Sequence, residues 1–162
     1  MVHGPIAYGR VRPNVIMSGL RVNSRMEALM ALARTAFDHS GVSERAVLGA
    51  LLESERQDSG AVASGVAILG ARLTVFGGVF SMLARLDRPM DFGADDQQPV
   101  DLVYLLLSPA RAKPDHLQAL GRASRLLRDG GLCRQLRHCP DAAAMATMVA
   151  EHSQLQPLSW AS

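Results

Sequence analysis

The run Gln98-Pro99-Val100-Asp101-Leu102-Val103-Tyr104-Leu105-Leu106-Leu107-Ser108-Pro109 decides the fold of this chain. From Val100 to Leu107 only Asp101 interrupts the apolar side chains, and prolines bound the run on both sides. A nearly continuous apolar run of this length predicts a central strand covered on both faces. Such a strand needs a layer on each side, so the flanking sequence should supply helices.

Downstream, Pro114 suits the first turn of a helix. That helix is expected to turn Leu117, Leu120, Ala123 and Leu127 inward and Arg122, Arg125 and Arg128 outward, with Gly130-Gly131 stopping it. Two shorter helices follow, over about 132–138 and 141–152, the second capped by Asp141 after Pro140. Upstream, 91–99 reads as an acidic loop. Val79 to Leu86 reads as a strand that Arg88-Pro89 ends, and Val66-Ala67-Ile68 as a short strand behind a small, flexible stretch from Ser59 to Ser64. A first helix starts at Ser24, which stands at capping-box spacing from Glu27. Met26, Leu29, Met30, Ala33 and Phe37 form its expected apolar stripe, and Gly41 ends it. Ser43 caps a second helix that buries Ala46, Val47, Ala50, Leu51 and Ser54. Val15-Ile16-Met17 reads as a short edge strand. Helices alternating with buried strands predict one α/β layered domain over 13–152, between a loose arm (1–12) and a surface tail (153–162) that holds Pro157 and Trp160.

Composition narrows the function. Charged residues make up 20% of the 162 and the formal net charge is +2 with no long basic run, so the footprint of a nucleic-acid binder is missing. Aromatic residues are only 4%, too few for base-stacking platforms. No run of about 18 apolar residues predicts membrane insertion, and the N-terminus lacks the apolar core of a signal peptide. Cys133 and Cys139 read as free thiols in a reducing cytoplasm. With His138 they lack a second ligand pair at zinc spacing, so no metal is expected, and no cofactor.

Three segments carry a resemblance. The first runs from Ala50 to Arg56 (Ala-Leu-Leu-Glu-Ser-Glu-Arg). The second runs from Ser59 to Leu73. The third holds Pro89-Met90-Asp91-Phe92, then Gln98 to Pro109, then Asp115-His116-Leu117 running on to Ser124-Arg125-Leu126-Leu127-Arg128-Asp129. Together they resemble the fructose/mannitol-type EIIA family of the bacterial phosphotransferase system, nitrogen-regulatory branch, over about 13–150. The resemblance implies a mixed sheet of about five strands with helices on both faces. It also implies a histidine that accepts a phosphoryl group from a small phosphocarrier protein. The partners it implies are that carrier and regulated transporters or sensor kinases. Apolar residues such as Val75 and Phe76 are candidates for a homodimer contact.

The chemistry requires a neutral, exposed, oriented imidazole and donors for the phosphoryl oxygens. An ungapped match over 55–73 sets the family's Pro-His on Leu69-Gly70, and glycine has no nucleophile. A family arginine falls on Ser54, which cannot make its bidentate phosphate contact. The family's Ser-Thr-Gly-x-Gly-Asn-Gly loop becomes Ser59-Gly60-Ala61-Val62-Ala63-Ser64-Gly65, and an alanine at a position needing positive φ would be strained. His116 falls on the family's second, supporting histidine. Ser59, Ser64, Arg56 and Arg72 are the remaining candidates to bind an anion. His3, His39, His138 and His152 read as surface residues. Three functions stay open. The first is a non-phosphorylatable regulatory binding module. The second is a phosphotransferase accepting phosphate on His116. The third is a small-molecule binder in the vacated site, made more apolar by Leu69.

Overall fold

The computed structural model describes residues 11–57, 61–74, 78–111 and 113–155. Ten elements follow in order: β1 (Val15–Leu20), α1 (Arg25–Ser40), α2 (Glu44–Gln57), β2 (Ala61–Ala63), β3 (Val66–Leu73), β4 (Phe80–Met90), β5 (Val100–Pro109), α3 (Lys113–Leu127), α4 (Gly130–His138) and α5 (Ala142–Leu155). The strands form one mixed sheet in the order β1-β4-β5-β3-β2. The β5 strand is central, parallel to β3 and antiparallel to β4. Leu102, Val103, Leu105 and Leu107 are 0% exposed, so both faces of β5 are covered, as its unbroken apolar run requires.

The two faces feed two cores. Ala67, Leu69, Ala71 and Leu73 of β3 pack with Leu105 and Leu107 against α1 and α2. Val66 and Ile68 pack with Leu102, Tyr104 and Leu106 against α3, α4 and α5. The two-residue period of a strand sends alternate side chains to opposite layers.

Local signals explain most boundaries. The Ser24 hydroxyl accepts from the Glu27 amide at 3.1 Å, while the Glu27 carboxylate accepts from the Asn23 amide at 2.9 Å. Gly41 closes α1 at φ 77°, a conformation that favours glycine. Ser43 and Asp141 cap α2 and α5 through the Ala46 and Ala144 amides.

Several expectations give way. The α1 face that is buried carries Ala28, Leu29, Leu32, Ala33 and Ala36, while Met26, Met30 and Phe37 are exposed. Small residues let α1 approach α2 and the sheet closely, which turns the larger side chains outward. The Ser59–Ser64 stretch contains a strand, β2, hydrogen-bonded antiparallel to β3. Strand β4 runs through Arg88-Pro89 to Met90, with a register irregularity after Arg85 that accommodates the proline. Leu117 is 57% exposed, while His116, Ala123, Leu126 and Leu127 of α3 are buried and Leu120 packs inward beside them. Gly130-Gly131 opens α4, because the Asp129 carboxylate accepts from the Gly131 and Leu132 amides and caps it. Val11, assigned to the arm, is buried and exchanges hydrogen bonds with the buried Ser153 hydroxyl on α5. His152 is not a free surface residue: its Nε2 lies 3.0 Å from an Asp129 carboxylate oxygen. His3, Ser59, Gly60, Val75, Phe76, Pro157 and Trp160 lie outside the described residues, as does the side chain of Arg56.

Candidate functional site

Three elements meet at Gly70. The parallel register sets Gly70 of β3 beside Leu106 of β5 and Arg72 beside Ser108. Residues two apart on a strand share a face, so Gly70 and Arg72 look toward the same layer as Ile68, and that layer holds α3. His116, in the first turns of α3, is 7% exposed. Its Nδ1 lies 2.8 Å from the buried Ser108 hydroxyl. Its Nε2 reaches across to β3 and stops 3.0 Å from the point where a Cβ on Gly70 would lie, with Leu120 Cδ1 at the same distance. A side chain at position 70 would therefore fit only if His116 and Leu120 gave way by a few tenths of an ångström.

Burial lowers the His116 pKa from its ordinary value, and the Arg72 guanidinium lowers it further. The ring is thus held neutral near neutral pH, tied at one nitrogen and enclosed at the other. Arg72 itself is exposed and donates to the Ala110 carbonyl at 3.2 Å. The site so defined is an imidazole with a fixed orientation, a hydroxyl that positions it, and one arginine at its edge. Among the described residues it has no second imidazole.

The remaining candidates are not assembled around Gly70. Leu69 is 5% exposed and packs in the opposite core, so it does not line the position beside it. Ser54 sits half-buried on α2, whose buried Val47 and Leu51 belong to that same opposite core. Ser64 lies six residues from Gly70, about 20 Å along an extended strand. It occupies the β2–β3 turn at φ 56°, beside Gly65 at φ 82°, the pair of left-handed residues that a two-residue hairpin of this hand requires. The positive φ angles thus fall on Ser64 and Gly65, and Ala63 lies in β2 without that strain. The Ser64 amide donates to Asp96 at 2.8 Å and its carbonyl accepts from Arg137. Ser108 was not singled out in the sequence, and Leu120 was expected to face inward but not to meet Gly70. A lone hydroxyl closing the apolar run at Ser108-Pro109 was the available signal. Cys133 and Cys139 are free and buried. Among the described residues, no three His, Cys, Asp or Glu side chains gather to hold a metal, and no helix is long and apolar enough to cross a membrane.

A mixed five-stranded sheet with a buried, strand-facing histidine on the helix after its central strand defines the class. The model of the family "Phosphoenolpyruvate-dependent sugar phosphotransferase system, EIIA 2" matches residues 11–152, and the chain belongs to that family. Within it, the chain is 46% identical over 140 residues to a nitrogen regulatory protein of Bradyrhizobium diazoefficiens, covering 86% of this chain and 92% of that one. It is 35% identical to a nitrogen regulatory protein of Klebsiella oxytoca, over 74% of this chain and 75% of the relative. In structure it is similar to the nitrogen regulatory protein IIA-Ntr of Neisseria meningitidis, with a TM-score of 0.77 at 22% identity, covering 83% and 92% of the two chains.

Proposed function

We propose that this chain is a regulatory protein-binding module of the phosphotransferase system that carries no phosphoryl group. The observation that carries the reading is the pairing of Gly70 with His116. The strand position facing the α3 imidazole is a glycine with no nucleophile, and the imidazole stops 3.0 Å from where its Cβ would stand. Phosphoryl transfer to a histidine needs a nitrogen that an incoming donor can reach in line. His116 is 7% exposed, with one nitrogen at Ser108 and the other turned toward Gly70 of β3, which counts against its serving as a substitute acceptor. The same filling counts against a small molecule seated at Gly70.

By family resemblance, the partners are the phosphocarrier protein and regulated transporters or sensor kinases in the cytoplasm, met through the surface around Arg72. A chain without an acceptor presents that surface in one charge state only. Other EIIA proteins change theirs by gaining a phosphoryl group of about two negative charges.

The test is incubation with phosphoenolpyruvate and the upstream proteins of the system, read by intact mass under conditions that preserve phosphohistidine. No mass increase is expected. Stoichiometric phosphorylation overturns the reading, and its loss in a His116→Ala variant would assign the phosphate to His116.

A further inference from the structure

A second concavity lies at the other end of the α3–β3 contact. It is a cavity of about 450 Å³ between the β2–β3 hairpin, the end of α3 and the start of α4. Its volume falls in the range of small-molecule sites. From His116 to Ser124, which lines it, is eight residues along α3, about 12 Å, so it is separate from the Gly70 position.

The lining divides by chemistry. Val66, Ile68 and Leu127 are 5–8% exposed and form an apolar floor. Arg128, Arg134 and Arg137 stand around it, and the lining contains no acidic residue. Arg137 is committed to the fold: its Nε lies 2.9 Å from both Asp101 carboxylate oxygens, and it donates to the Ser64 carbonyl. Arg128 and Arg134 are exposed and have no acidic partner among the described residues. The Arg134 guanidinium lies along the first turn of α4, with Nη1 3.7 Å from where a Cβ on Gly130 would stand. The nearby carboxylates are each engaged: Asp129 by two α4 amides and by His152, Asp101 by Arg137, and Asp96 by the Ser64 and Gln98 amides.

We propose that this cavity binds a small amphipathic anion, its apolar body on Val66, Ile68 and Leu127 and its carboxylate or phosphate head on Arg128 and Arg134. Two guanidinium groups without an acidic partner among the described residues match an oxyanion in fork geometry. An apolar floor beneath them selects against a bare inorganic ion. Occupancy would tie the β2–β3 hairpin to α4 without involving Gly70, so the site stands or falls independently of whether the chain is phosphorylated.

The experiment titrates the full chain with 1-naphthyl phosphate, 1-naphthoate and inorganic phosphate, following backbone amide resonances. Saturable shifts centred on Ser64, Ser124 and Gly130 are expected for at least one aryl anion, and which one responds identifies the head group. Inorganic phosphate should bind at least about tenfold more weakly. An Arg128→Ala/Arg134→Ala variant should weaken the aryl anion about tenfold or more, the effect of losing charge-assisted hydrogen bonds. Both side chains are exposed, and unchanged amide dispersion elsewhere reports that the variant is folded. Three results overturn the proposal: no shifts at these amides at millimolar ligand, equal affinity in the double variant, or equal affinity for inorganic phosphate.

Discussion

The Nε2 atom of His116 lies 3.0 Å from the place a Cβ on Gly70 would occupy, and the two Leu120 methyls lie 3.0 and 3.1 Å from it. Glycine at this strand position and the inward histidine on α3 are thus mutually adapted: each occupies space that the other leaves.

A side chain at position 70 should therefore be resisted by packing. Gly70→Ala is expected to lower stability by about 1–3 kcal/mol, the usual cost of overfilling a packed interior. Denaturant unfolding measures this, and a variant as stable as the parent would show that His116 moves aside freely. Gly70→His should cost more, because a larger side chain needs His116 and Leu120 displaced further.

The buried imidazole also sets a pH dependence. Burial and Arg72 hold the His116 pKa below its ordinary value of 6.5, so the unfolded chain takes up this proton at higher pH than the folded one. The stability linked to His116 is complete above the unfolded value and is lost as pH falls below it toward the folded value. Urea midpoints of the parent should drop between about pH 7.5 and pH 5.5, a window around the unperturbed histidine value. A His116→Gln variant should show a smaller drop, and equal drops would place the titration on other groups.

Arg85 holds three carbonyls that sequence reading did not connect. Its Nε donates to Ser18 at 2.9 Å, and its Nη1 donates to Leu136 at 2.8 Å and to Cys139 at 2.7 Å, at the end of α4. Arg85→Met keeps most of the apolar stem but leaves these acceptors short of donors. The expected loss is about 2–4 kcal/mol, with amide exchange near Leu136 accelerated more than in α1. Uniform acceleration across both helices would argue against a role for Arg85 in pinning α4.

Cys133 should be slow to react. Burial pushes its thiol pKa up, and its Sγ lies 3.2 Å from the Leu127 carbonyl, so little thiolate is present at neutral pH although the residue borders the cavity beside Ser124. Modification by a disulfide reagent at neutral pH should follow unfolding, with a rate that rises in denaturant. Rapid labelling of the native protein at Cys133 would contradict this placement.

The class of fold and the central strand were legible in the chain because the Val100–Leu107 run is short, apolar and bounded by Pro99 and Pro109, which favours a strand with a layer on each face. Caps at Ser24, Ser43 and Asp141 were legible for a similar reason. Each is a local hydrogen bond between a side chain and an amide three residues on. Orientation within the layers was not legible. Met26, Met30 and Phe37 satisfy helical spacing as well as Leu29 and Ala33 do, and only the closeness of α1 to α2 favours the small-residue face. The same holds for α3, where His116 and Leu126 turn inward and Leu117 outward.

The candidate site divides along the same line. That position 70 is a glycine, that Ser54 is no arginine, and that His116 begins the helix after the central strand are properties of the sequence by itself. No arrangement of the chain can supply a nucleophile that is not encoded. Tertiary structure decided what the glycine does. A strand alternates its side chains between two layers, so Leu69 and Gly70 part to opposite faces, Ser64 ends at the far turn, and Gly70 meets His116 with Arg72 at the edge. Register between β3 and β5, and the packing of α3 across them, set that meeting, and neither can be read from residues that lie 46 positions apart in the chain.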